Sequence, residues 1–351
     1  MKFWNSSISL KRLYSGFTIN LFKNFLGVRG KILYFLQVNN LYLLDSEDNK
    51  LCLSSWVGFE KIEIKGDYFL DIYIYKTGSI IDERIFGLEG QLQSIFKGYV
   101  VETINSLDFV KYRILVARQE EELALFSDSA NYKGLDYIDI TKSISWYFDK
   151  APSCGIWGSS GSGKTYLALL ILKRISTLTD LVYCCDCKFD EFAYYSKKIG
   201  VKYIAKDIES VCYTIQRVSD ILDSRYDSDK PKRYKPIFLF IDEFAILKLS
   251  ISKKEFEKVV DNIRNIVLKG RRARVFIVLI QQYQSTSLGL PIDLLSSLGF
   301  RVVLGNSRQL YKNVFEISKD VNLLTKGVGE GYYSENGGEV KLIFAPKITD
   351  I

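Results

Sequence analysis

Residues 158–165 read Gly-Ser-Ser-Gly-Ser-Gly-Lys-Thr, and no other stretch of this chain restricts its fold so strongly. Gly158, Ser159, Ser160, Gly161, Ser162, Gly163, Lys164 and Thr165 match the pattern G-x-x-x-x-G-K-[ST] in full. Glycines at this spacing let consecutive backbone N–H groups curl around a phosphate chain, and a helix opening at the lysine adds a favourable dipole. In such a loop Lys164 reaches the β- and γ-phosphates, and the Thr165 hydroxyl ligates magnesium. Eight residues alone have chance matches. Here the apolar run 154–157 precedes the loop and an amphipathic pattern over 164–175 follows it, the strand–loop–helix setting the chemistry needs. The expected ligands are ATP and Mg2+.

A second element, Ile237-Phe238-Leu239-Phe240-Ile241-Asp242-Glu243, is an apolar run ending in two acids. A buried central strand of this kind delivers carboxylates to its C-terminal edge, beside the phosphate loop. Asp242 would hold magnesium, and Glu243 would orient or deprotonate the attacking water. The plainer alternative is an ordinary strand followed by a helix-starting acidic pair. Further on, Val275 to Ile280 is another apolar run, closed by Gln281-Gln282. A polar residue ending that strand can sense the γ-phosphate between the two motifs. Just upstream stand Lys269, Arg271, Arg272 and Arg274. An arginine there can reach a neighbouring subunit's ATP and stabilise transition-state charge. It can equally be a solvated helix end complementing the dipole, and the residues alone leave both readings open.

Alternation of strand and helix patterns after Pro152 implies an α/β fold, a P-loop (RecA-like) parallel sheet flanked by helices. Its strands are expected over 154–157, 181–186, 237–241, 275–280 and 301–304, with a closing hairpin around Asn336-Gly337-Gly338. Upstream, short Ile-, Leu-, Tyr- and Phe-rich runs over 31–38, 41–44, 50–53, 61–64 and 68–75 read as strands of a smaller β-rich or α+β domain. A helical face over 88–104 and a strand over 111–117 follow. The polar, turn-rich stretch 127–152 marks the boundary region. The expected division is 1–29, a basic segment; 30–126, the N-terminal domain; and 127–351, the motor.

The chain has 351 residues and a net charge of +7, and no Asp or Glu precedes Asp45. Basic clusters at Lys230-Lys232-Arg233-Lys235 and around Arg271 fit a polyanionic partner. Histidine is absent, which removes His-based triads and His-containing zinc sites. The six cysteines include a formal Cys184-x-x-Cys187, but it lies in an apolar run where buried thiols are the usual occupants. Thiols so placed suit a reducing, cytoplasmic setting. Over 9–26, Leu10, Leu13, Tyr14, Phe17, Leu21 and Phe25 recur at helical spacing among Lys11, Arg12 and Lys23. That stripe is expected to pack on its own domain, with peripheral contact at the inner face of a membrane as the alternative.

On these residues the chain resembles the FtsK/SpoIIIE family of DNA translocases, within the wider group of conjugative coupling and HerA-like ATPases. Asp149-Lys150-Ala151-Pro152 is similar to the family's lead into its phosphate loop, Asp186-Cys187-Lys188 to its Asp-Pro-Lys, and Asp242-Glu243-Phe244-Ala245 to its Asp-Glu-Phe-Ala. Gly327-Val328-Gly329 resembles its late Gly-x-Gly segment. The resemblance aligns Arg271 with a trans-acting arginine and Gln282 with the sensor glutamine. Tyr283-Gln284 stands where Arg-Pro is common, and the family's winged helix and multi-span anchor have no counterpart in the sequence. The resemblance implies a homo-oligomer, a hexameric ring, that hydrolyses ATP to move DNA in conjugative transfer or processing of a plasmid, integrative element or phage. DNA would be gripped by loops at 248–254 and 283–290, and a relaxase or transfer-machine protein would be the partner. Alternatives are a protein-secretion or assembly ATPase and an ATP-gated DNA- or relaxase-binding switch.

Overall fold

The computed structural model describes residues 2–4, 8–9, 27–41, 43–44, 50–52, 57–64, 67–118, 121–128, 130–226, 234–284, 290–317 and 327–351. The chain divides into two units, Met1–Gln119 and Glu120–Ile351.

The first unit is built on a five-stranded antiparallel sheet. Its strands are Lys2–Trp4, β1 (Val57–Ile64), β2 (Asp67–Tyr75), β3 (Tyr99–Asn105) and β4 (Phe109–Ala117), in the order Lys2–Trp4, β1, β2, β4, β3. Helices α1 (Val28–Val38) and α2 (Glu89–Phe96) bury Ile32, Phe35, Leu36, Leu92 and Phe96 against Leu70, Ile72, Ile74 and Tyr112. Two expectations are corrected here. The run 31–38 is the body of α1, not a strand: Ile32, Phe35 and Leu36 recur at i, i+3 and i+4, and only that face is buried. A short continuous apolar run carries no period of its own, so strand and helix look alike in it. The helical face over 88–104 stops at Phe96, because Lys97 turns left-handed (φ 57°) and the chain re-enters the sheet at Tyr99. From residue 10 onward, the amphipathic helix expected over 9–26 lies outside the described residues. Among the described residues, no helix is long and apolar enough to cross a membrane.

The second unit holds an eight-stranded mixed sheet. Its strands are β5 (Ser153–Gly158), β6 (Val182–Asp186), β7 (Tyr203–Ala205), β8 (Ile237–Asp242), β9 (Val275–Gln281), β10 (Phe300–Leu304), β11 (Glu330–Glu335) and β12 (Lys341–Phe344). The order is β7-β6-β8-β9-β5-β10-β11-β12. The first six are parallel, and the last two add on antiparallel as the expected closing hairpin. Strands β5, β8 and β9 are buried at every residue, as parallel strands covered on both faces must be. Alternate residues feed opposite cores. Phe276, Val278 and Ile280 pack with α3 (Lys164–Leu178), whereas Val275, Ile277 and Leu279 pack with α5 (Ile208–Tyr226) and α7 (Lys253–Ala273). Between the latter two in sequence runs α6 (Ala245–Ser250), and α4 (Glu191–Ile199) follows β6.

The turn-rich stretch after residue 127 contributes to the core of the second unit. Tyr137–Asp139 and Ser145–Tyr147 pair as a small antiparallel ladder that drives Ile138, Trp146 and Phe148 into the core of the second unit. Trp146 is fully buried, edge-on to Phe148 at 5.0 Å, and its indole N–H donates to the Ala151 carbonyl at 2.6 Å. Phe148 carries the contact on to Phe238 and Phe276 at 5.0 and 5.3 Å. Trp146→Ala is therefore expected to lower stability by about 3–5 kcal/mol. The check is the denaturant midpoint of the full chain. A shift of under about 1 kcal/mol, in the range of surface substitutions, would mean that the ladder is dispensable.

Candidate active site

The C-terminal ends of β5, β6, β8 and β9 meet at one edge of the sheet. Register pairs Asp186 with Asp242, Asp242 with Ile280, and Trp157 with Gln281. β9 lies between β8 and β5, so Gln281-Gln282 separates the acidic pair from the phosphate loop. Parallel α/β sheets bind ligands at this edge.

The loop from Gly158 to Gly163 folds tightly. The Ser162 N–H donates to the Ser159 carbonyl at 3.1 Å, and the Gly329 N–H donates to the Ser162 carbonyl at 2.9 Å. Two glycines are sterically required. A Cβ on Gly158 would lie 2.2 Å from Ser162 Oγ. Gly163 is left-handed (φ 93°), and a Cβ there would approach the Gly329 nitrogen to 3.0 Å. Helix α3 opens directly at Lys164, which leaves its unsatisfied N–H groups and dipole facing the loop. Ser162 Oγ is buried without a hydrogen bond. Lys164 is buried, and burial, with neighbouring Lys188 next, lowers its ammonium pKa against the pull of Asp242 and Glu243. Thr165, one residue on, is half-buried.

Asp242 and Glu243 are both buried. The Asp242 carboxyl is pushed up to about 7, first by burial and then by facing Asp186, with Lys188 and Lys164 pulling the other way. A magnesium ion held by Asp242 and the Thr165 hydroxyl would add positive charge where the three carboxylates of Asp186, Asp242 and Glu243 face only two lysines, and oxygen donors of this kind suit it. Glu243 sits left-handed (φ 55°), its N–H donating to the Ile280 carbonyl at 2.8 Å. One carboxylate oxygen, Oε1, accepts the Gln282 N–H at 3.2 Å. The other, Oε2, is buried without a hydrogen bond, and Lys188 Nζ stands 3.6 Å from it. A non-Gly residue held at positive φ, with one buried carboxylate oxygen left without a hydrogen bond, is the strained geometry functional positions tolerate.

Arg271 is not part of this edge. Helix α7 ends at Ala273 and Arg274 turns the chain into β9, whose seven residues separate the two edges by about 20 Å. Its basic neighbours are engaged. Lys269 pairs with Asp223 at 3.8 Å, Arg272 lies over the Tyr226 ring at 4.8 Å, and Arg274 pairs with Asp136 at 2.6 Å. Arg271 is exposed and makes no ion pair or ring contact among the described residues. The expected loop at 248–254 is corrected. Its residues are the end of α6, a turn at Ile251-Ser252, and the start of α7, where Ser252 and Glu255 cap each other. Of the stretch 283–290, residues 285–289 lie outside the described residues; at its ends, the Gln284 amide and the Leu290 backbone exchange hydrogen bonds at 3.0 and 3.2 Å. Lys188, two residues past the end of β6, was quoted in the sequence only as part of Asp186-Cys187-Lys188 and given no role of its own; the amide of Gln281, the strand-end partner of Gln282, is buried with neither atom bonded.

No family model matches the chain. Among curated proteins, an FtsK domain-containing protein, YdcQ of Bacillus subtilis (strain 168), is 26% identical over 262 residues, which is 68% of this chain and 51% of that protein. The chain thus spans about half the length of the curated relative it matches. Among solved structures, the pCW3 conjugation coupling protein TcpA, in a monomer form with ATPγS, superposes with a TM-score of 0.59 at 18% identity, over 91% of this chain and 94% of that one. The cytoplasmic domain of the type VII secretion ATPase EccC from Thermomonospora curvata gives 0.50 at 11% identity, over 67% of this chain and 29% of that one. These structural likenesses are likenesses of fold.

Proposed function

We propose, from the premise that this chain is an FtsK/SpoIIIE-type P-loop ATPase, that it hydrolyses Mg-ATP to drive DNA through a ring of identical subunits. One observation carries the reading. Lys164, Asp242, Glu243 and Gln282 gather at one sheet edge, while Arg271 projects, exposed and unengaged, from the opposite edge. A nucleotide bound at the first edge is out of its own Arg271's reach, so a neighbour's Arg271 would complete the site. The second unit would be the motor.

In the proposed reaction the loop N–H groups and Lys164 bind the phosphates. Asp242 and Thr165 hold magnesium, which when bound neutralises phosphate charge. Glu243 Oε2, free of hydrogen bonds, takes the proton side of the attacking water, and Gln282 holds the other oxygen in place through its N–H. Arg271 from the next subunit stabilises the charge that develops on the transferred phosphoryl. The likeness to a conjugation coupling protein supports a role in conjugative transfer, and the chain's own basic balance favours DNA as the moved polymer.

The expected result is a several-fold rise in ATPase rate with either single- or double-stranded DNA. That rise should shrink steeply between low and moderate salt, because backbone contacts release counterions, and Lys164→Ala should abolish it. The likeness to a secretion ATPase favours a second reading, a protein-moving motor, which predicts a robust rate indifferent to DNA. Stimulation by DNA without displacement of a bound roadblock would instead identify an ATP-gated switch that meets a relaxase or another transfer protein.

A further inference from the structure

The turn after β6 is built around one buried carboxylate. Asp186 is fully buried, and its oxygens accept the N–H groups of Lys188, Phe189, Asp190 and Ala193 at 3.0, 2.9, 3.1 and 2.9 Å. The Cys187 N–H donates to the Asp242 carbonyl at 3.2 Å, and Phe189 turns left-handed (φ 62°). Five backbone N–H groups are thereby committed across this turn and the start of α4. Its one long polar side chain inside the site is Lys188, whose Nζ stands 3.6 Å from Glu243 Oε2. That contact is too long for a hydrogen bond. The lysine is about a third exposed, at 30%, and the glutamate almost wholly buried, at 5%. Lys188 is also felt by Lys164 and Asp242, raising the cost of charge on the first and lowering it on the second.

We propose that Lys188 is a γ-phosphate sensor that exchanges partners, bound to Glu243 without a triphosphate and to the γ-phosphate with one. The inference rests on the ATPase reading above. A γ-phosphate carries more negative charge than one carboxylate and offers more acceptor oxygens, so it competes well for an ammonium only loosely engaged. Asp186 keeps the backbone still, and the flexible four-carbon stem makes the exchange. Once Lys188 leaves, Oε2 is the one Glu243 oxygen without a partner and is open to the attacking water. ADP, lacking the γ-group, leaves Lys188 on Glu243 and the water site closed. Discrimination between triphosphate and diphosphate is thus tied to readiness for hydrolysis, through a positioning residue that need not touch the water.

The test is binding, with turnover as a second readout. The full chain and its Lys188→Ala and Lys188→Arg variants would be titrated with fluorescent AMP-PNP and ADP in magnesium. Lys188→Ala is expected to weaken AMP-PNP about ten- to a hundred-fold, the worth of one charged hydrogen bond, while ADP affinity stays within about two-fold. Lys188→Arg should recover much of the triphosphate preference, and kcat should fall further than KM rises in the alanine variant. Equal weakening of both nucleotides, with a lowered unfolding midpoint, would reduce Lys188 to a structural role. No change in either nucleotide would overturn the sensor. If the unaltered chain binds neither nucleotide, the ATPase reading itself fails, a result distinct from both.

Discussion

Glu243→Gln is expected to keep nucleotide and lose turnover, with kcat down about 10²- to 10⁴-fold and affinity for Mg-ATP within a few-fold of the original. The substitution preserves shape and keeps an oxygen to accept the Gln282 N–H now held by Oε1. What it removes is the second acceptor. Oε2, buried and without a hydrogen bond, becomes an amide NH2 that can neither take a proton nor orient water as an acceptor. Lys164, Thr165 and Asp242 are untouched, so the phosphates and magnesium would keep their proposed partners. Measuring equilibrium binding beside single-turnover hydrolysis separates the two effects. A rate within tenfold of the original would require another base at this edge. Asp186 is poorly suited to that role, because four backbone N–H groups already occupy its carboxylate.

The sheet of the second unit was readable because its strands are buried on both faces and appear as unbroken apolar runs, each closed by a chemically distinctive residue. Ile237 to Asp242 and Val275 to Gln281 are the clearest cases. The first unit was less readable for a related reason. Val28–Val38 presents a similar apolar run, yet it folds as a helix because its neighbours offer the sheet only one face to cover. Trp146 and Phe148 sit among Asp, Ser, Thr and Lys in a stretch that reads as a polar, turn-rich boundary region. Only the three-residue ladder Tyr137–Asp139 with Ser145–Tyr147 turns alternate residues inward. Strands that short leave too few alternations for a period to register.

The candidate site divides along the same line. Lys164, Thr165, Asp242 and Glu243 stand in contiguous motifs, so their types and spacing announce them. Lys188 and the Gly327-Val328-Gly329 segment reach the site from elsewhere in the chain. The Gly329 N–H holds the phosphate loop at Ser162, and Lys188 faces Glu243, through contacts that no local pattern encodes. The basic run before β9 was undecidable for the clearest physical reason. Whether Arg274 is idle depends on Asp136, 138 residues earlier, and whether Lys269 and Arg272 are free depends on Asp223 and Tyr226. With those three engaged, Arg271 is the member of the cluster left without an ion pair or ring contact among the described residues.

Arg271→Ala is accordingly expected to lower kcat by about 10³-fold or more, the usual worth of an arginine that stabilises a transferring phosphoryl, with ATP binding nearly unchanged. That single result cannot distinguish a residue serving its own site from one serving a neighbour's. Co-expression with Glu243→Gln can. In the proposed ring, assemblies made wholly of either variant should be nearly inactive, one lacking the arginine at every site and the other lacking the base. In a mixed ring, an Arg271→Ala subunit retains Glu243, and a Glu243→Gln subunit beside it retains Arg271, so their shared interface rebuilds a complete site. Random equal mixing makes about a quarter of head-to-tail interfaces complete. If those sites fire independently, the mixture recovers up to about a quarter of the original rate, far above either parent. No recovery, with mixed rings shown to form, would place Arg271 in service of its own subunit. The separation of about 20 Å along β9 then leaves only a structural role for it, since the side chain cannot reach its own chain's Lys164 and Glu243 from the opposite edge.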